Sequence, residues 1–114
     1  MDPVTPLLIA KALDGLHARQ KVIAENIANA GTPNYRPLAV SFEGSLKAAA
    51  AQGAEAIASV EPRTHLAPQA PIPGELRLDL EVATAAQTSM RYGALIDFLG
   101  REMALHRAVV SGGR

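Results

Sequence analysis

Residues 6–30, PLLIAKALDGLHARQKVIAENIANA, decide the fold. Ile9, Leu13, Leu16, Gln20, Ile23, Ile27 and Ala30 follow one another at spacings of 4, 3, 4, 3, 4 and 3. Those intervals bring the residues to one stripe of an α-helix, and a seam held over nearly four heptads has the period of a coiled coil. Gln20 interrupts it. The same pattern also suits an ordinary amphipathic helix within one domain. Thr5 is placed to cap the helix start, and Pro6 suits the first turn, where its missing N–H leaves nothing unpaired. A helix is therefore expected over 5–30. Gly31 is a natural stop, and residues 32–37, TPNYRP, cannot continue it.

Working outward, residues 31–46 read as a turn and an extended arm, with weak alternation over 38–46. Residues 47–77 form an Ala/Pro-rich middle. Its first part suits a short alanine helix, and residues 61–74 read as loop because Pro62, Pro68, Pro71 and Pro73 break any ladder. A second long helix is expected over 79–111. Asp79 can cap it, Glu81 favours its positive end, and Arg101, His106 and Arg107 lie near its negative end before Gly112 and Gly113. Its apolar stripe is Thr88, Tyr92, Leu95 with Ile96, Leu99, Met103, His106, and Val109 with Val110. The chain is thus read as mainly α, its terminal helices paired as a coiled-coil-like hairpin. Ile9, Leu13, Leu16, Ile23 and Ile27 would pack with Tyr92, Leu95, Ile96, Leu99 and Met103. Gly93 and Gly100 sit seven apart on another face. Each costs about 1 kcal/mol in a helix; they are either tolerated or mark the close approach of another helix.

The composition excludes several classes of function. Formal charge is zero overall and balanced in each half, so no basic patch points to nucleic acid or an anionic membrane. No apolar run reaches the roughly 18–20 residues that span a bilayer, and the first residues lack the basic region of a cleavable signal peptide. The 114 residues contain no cysteine, which rules out disulfides and thiolate metal sites. His17, His65 and His106 have no metal-ligand spacing, and no nucleophile elbow, phosphate loop or dinucleotide fingerprint occurs. Neither an enzyme, a cofactor nor a small-molecule substrate is expected. Aromatics are 4% of the chain, so few large side chains anchor a core. Two apolar stripes recover less free energy than the ordering of two long helices costs. The helices are expected to need other chains, and the free chain to be partly disordered at its ends.

Residues 24–36, AENIANAGTPNYR, resemble a signature, A-N-N-I-A-N-x-x-T-P-G-Y followed by Lys or Arg, of the bacterial flagellar axial proteins. That family includes rod, hook and hook-associated subunits. Asn26, Ile27, Ala28, Asn29, Thr32, Pro33 and Tyr35 carry the match. Glu25 departs from it, altering one polar contact. Asn34 also departs, standing for a Gly; Asn is the usual substitute where φ is positive, so the turn is expected to survive. Asn26 and Asn29 can cap open carbonyls of the last helical turn or reach a neighbouring chain. The short length and the segments 40–46, 90–96 and 110–114 are similar to those of the family's proximal-rod subunits. The resemblance covers residues 7–46 and 78–114. It implies a structural subunit of the flagellar rod, exported without a cleaved signal and assembled in the periplasm by its terminal helices to transmit torque. It implies as partners the chain itself, other rod subunits and the adapter at the inner-membrane ring. Phe42, Arg91, Gly93 and Gly100 are candidate contacts to a neighbour. Which of the proximal-rod subunits it resembles stays open between two siblings, and outside the family a soluble helical adaptor or export chaperone is the alternative.

Overall fold

In the computed structural model, residues 4–68 and 73–112 are described; Pro71 and Gly113, read above as helix or strand breakers, lie outside them, as does Arg114. Helix α1 spans Val4–Ala28. From Ala10 on, its exposed residues are Ala10, Asp14, His17, Lys21, Ala24, Glu25 and Ala28, a single narrow stripe. The rest of its surface is covered, and that decides the architecture. Strand β1 (Leu38–Ser41), helix α2 (Glu43–Ala50), helix α3 (Ala54–Ala58) and the long helix α4 (Gly74–Gly112) all pack on α1. Strand β2 (Arg63–Leu66) pairs antiparallel with β1, with Leu38 opposite Leu66 and Ser41 opposite Arg63.

The terminal helices are long, as expected, but the middle is more ordered than its composition suggests. β2 lies within residues 61–74, where a loop was expected. Its four residues fit between Pro62 and Pro68, so the prolines bound the strand rather than interrupt it. Ala67 N–H donates to Pro37 O at 2.9 Å and extends the pairing by one rung. Upstream, α2 and α3 are joined at Gly53, whose φ of +110° is a conformation that L side chains rarely adopt. Ile57 of α3 is fully buried, and Lys11 Nζ donates to Val60 O at 3.0 Å, pinning the end of α3 to α1.

Helix α4 starts at Gly74, earlier than Asp79. Arg77 N–H donates to Pro73 O at 3.0 Å, which opens the helix at Pro73. Residues 75–80, ELRLDL, are mostly strong helix formers, so nothing delays the start to Asp79. Its 39 residues make a helix about 58 Å long against about 37 Å for the 25 residues of α1. The molecule measures 64 × 26 × 17 Å.

Candidate functional site

The signature segment forms the end of α1 and the turn behind it. Asn29 N–H donates to Glu25 O at 3.0 Å and Asn29 Nδ2 to the same carbonyl at 2.9 Å. This side chain caps its own helix, and Thr32 Oγ1 donates to Asn29 Oδ1 at 3.1 Å. Tyr35 N–H then donates to Thr32 O at 3.2 Å around Pro33 and Asn34. Asn34 has φ of +64°. Proline second and a positive φ third are the requirements of a type II turn, and Asn meets the latter nearly as well as Gly.

Asn26 does something different. It is 4% exposed and every hydrogen-bonding position of its amide is used. Oδ1 accepts from Leu38 N–H at 3.0 Å and from Tyr35 Oη at 2.9 Å. Nδ2 donates to Leu38 O at 2.8 Å and to both carboxylate oxygens of Glu81 at 3.3 Å. The amide pairs with the Leu38 backbone as a strand residue would, and so ties α1, the turn, β1 and α4 together. Leaving such a buried group unpaired would cost about 1–3 kcal/mol.

A second cluster holds the arm. Leu16, Val22, Val40 and Phe42 form a buried core, with Tyr92 and Leu95 of α4 packed against it. The Phe42 ring sits over Gly15, where a Cβ would overlap it. Arg19 lies 5.0 Å from the centre of the same ring. Its guanidinium donates to Val40 O and, through both Nη atoms, to the Glu43 carboxylate, each at 2.7 Å. The Arg19 hydrogen bond holds the Glu43 carboxyl at about 2, well below the usual 4.5, against a smaller opposing effect of burial.

The expected packing residues divide. On α1, Ile9, Leu16 and Ile23 are buried, and Leu13 and Ile27 half-buried. Gln20 stays in the seam because Nε2 donates to Ser89 Oγ at 2.9 Å across to α4. On α4 the residues not exposed are Arg77, Glu81, Ala85, Thr88, Tyr92, Leu95, Leu99 and Glu102. Tyr92, Leu95 and Leu99 therefore face inward, whereas Ile96 and Met103 are 46% and 47% exposed. From Thr88 the inward stripe runs through Tyr92, Leu95 and Leu99 at alternating spacings of four and three, and the next step of three leads to Glu102 and not to Met103. Residues 103–112 are exposed throughout, including His106, Val109 and Val110. Phe42 belongs to the chain's own core, not to an open surface. Arg91 is exposed at the rim of a shallow apolar groove between Ala12, Leu16 and Leu95. Gly93 and Gly100 are exposed with open space where a Cβ would stand. Of the signature residues, Ala28, Thr32 and Pro33 are exposed and Tyr35 is half-buried.

Gly15, Arg19, Val22 and Glu43 are residues that the heptad reading passed over. A signal existed: Ala12, Gly15, Arg19, Val22 and Asn26 follow at spacings of 3, 4, 3 and 4. That second stripe adjoins the first and carries the arm.

Residues 10–36 match the family described as flagella basal body rod protein, a structural family rather than an enzyme family. The chain is 50% identical over 42 residues to the flagellar basal body rod protein FlgB of Borrelia hermsii. The aligned stretch is 37% of this chain and 31% of that protein.

Proposed function

We propose that this chain is a structural subunit of the bacterial flagellar basal-body rod, most like the proximal-rod protein FlgB. The match of α1 and its turn to the rod family carries the reading. The similarity to FlgB favours that member over its proximal-rod sibling. The exposed apolar residues of α4, among them Ile96, Phe98, Leu105 and Val109, support assembly with other chains. In this reading the subunit leaves the cytoplasm through the flagellar export apparatus without a cleaved signal. Its terminal helices then pack against those of neighbours in the periplasm, and the assembled rod transmits torque. The neighbours are further copies, other rod subunits and the inner-membrane ring adapter. Heterologous contacts of this kind generate an open helix. Arg91 is exposed on one face of α4 and Gly93 and Gly100 on another, and all three are candidate contacts to neighbouring chains. The reading calls for neither catalysis nor a cofactor.

Deleting the gene should leave cells without rods and non-motile, with both restored by the intact gene. Leu13→Asp or Leu99→Asp should block rod assembly while export of the chain persists. Rods built normally in the deletion strain would refute the proposal.

A further inference from the structure

The heptad spacing of the seam between α1 and α4 does not by itself select one alignment. On α4 the inward positions from Glu81 to Glu102 recur with a heptad period. Sliding α4 by one heptad keeps the same stripe towards α1: one way it brings Leu95 and Leu99 to the places of Thr88 and Tyr92, with Glu102 at that of Leu95, and the other way it brings Glu81 to the place of Thr88. Two polar contacts do distinguish the alignments. Asn26 meets Glu81 and, six residues earlier on α1, Gln20 meets Ser89 eight residues later on α4. Both belong to one antiparallel register. A shift of one heptad would set Thr88 opposite Asn26 and Ile96 opposite Gln20, or Gly74 and Val82 in the other direction. In each shifted alignment the Gln20 amide faces an apolar residue and the second Nδ2 hydrogen of Asn26 loses its carboxylate.

We propose that Asn26 is a positioning residue that sets the register of α4 on α1, with Glu81 as the group it selects. Its other three hydrogen bonds are local, to Tyr35 and Leu38 within twelve residues along the chain. They close α1, the turn and β1 into one unit and aim the remaining N–H at the groove where α4 lies. A buried Asn that fixes alignment in an otherwise degenerate helical seam is a known device of coiled coils. Here the same amide also holds the arm, so arm and helix are placed together. The register decides which residues of α4 extend past α1. In the native alignment Val4 lies opposite about residue 105, which leaves the exposed end of α4 free.

Spin labels at Ala24→Cys and Arg101→Cys, both exposed, test this in the full chain, which has no other cysteine. Pulsed electron-paramagnetic-resonance distances should show one population in the parent. Asn26→Leu and Glu81→Leu should each add a population displaced by about 10 Å, the rise of seven helical residues. Glu81→Gln keeps an acceptor oxygen and should restore the single native distance. A purely structural role would lower the melting temperature without moving the distance. The proposal is overturned if Glu81→Leu retains only the native distance, or if Glu81→Gln shifts as much as Glu81→Leu. It is also overturned if the parent has no single distance, or if Glu81→Leu loses its helical circular dichroism, because the apolar seam must then be unable to hold a shifted pair. The readout is made on the free chain, so its outcome is independent of whether the chain builds a rod.

Discussion

The arm is held to α1 by a few side chains whose contributions can be separated. Glu43 has its carboxyl held at about 2 by Arg19. A group with a lowered folded pKa adds stability above its unfolded value, and that stability is lost as pH falls from about 4.5 towards about 2. Glu43→Gln should therefore remove the part of the acid limb between those values. The effect at neutral pH should stay within the 0.2–1 kcal/mol or so typical of exposed pairs, since the Glu43 side chain is 54% exposed. Urea titrations at pH 7 and pH 3 measure both. Gly15 poses the opposite problem. Alanine raises helix propensity by about 1 kcal/mol, but its Cβ would overlap the Phe42 ring, which is 5% exposed. Overpacking costs about 1–3 kcal/mol, so Gly15→Ala should destabilise. Adding Phe42→Leu should recover part of the loss in the same melts.

At the scale of elements, α4 has two parts with different roles. Up to Glu102 its inward stripe is covered by α1 and the arm; from Met103 to Gly112 every residue is exposed. Truncation after Glu102 should therefore shift the thermal midpoint by no more than about 2 °C, less than a 1 kcal/mol change produces in a domain of this size. The same truncation should abolish complementation of a rod-deficient strain, as read by swimming. Amide hydrogen exchange should be fastest over 103–112 and slowest in the middle of α1. Gly93 has open space at the Cβ position. Gly93→Ala should stabilise the free chain by about 0.4–1 kcal/mol, through helix propensity and a restricted unfolded chain. Loss of assembly in this more stable variant would place a neighbouring helix at Gly93.

The whole molecule is elongated. Its radius of gyration is 17.7 Å, where a globular chain of this length would have about 13 Å. Small-angle scattering of the free chain should give a value near 17.7 Å or larger, and a value near 13 Å would mean that α4 folds back on itself. Elongation follows from composition. With aromatics at 4% and eight buried apolar residues among those described, the core is too small to draw two long helices into a globule. It forms instead a layer on one side of α1. Large exposed apolar residues line α4 from Leu76 to Val110, which is consistent with a subunit completed by neighbours.

Much of this was legible along the chain. Periodicities of three and four placed both long helices, the seam of α1 and, on α4, the inward residues from Thr88 to Leu99, because a helix obeys its own local repeat whatever packs on it. The signature turn was legible too: Pro33 sets one φ and Asn34 tolerates the positive φ that follows. The middle was not. Prolines at 62 and 68 look like breakers until β1 is present, for a four-residue strand exists only through its partner's hydrogen bonds. The function of Asn26 was likewise hidden. In sequence it is an amide near a helix end, equally suited to capping; its partners Tyr35, Leu38 and Glu81 lie on the turn, β1 and α4, and only their convergence in space gives it the role of a clasp. The sequence by itself determined the helices, the turn and the absence of a large core, since each follows from local propensity and composition. Tertiary structure alone decided the strand pairing, the seat of Phe42 on Gly15 and the alignment of α4, because each depends on groups distant in the chain meeting at hydrogen-bonding or van der Waals distance.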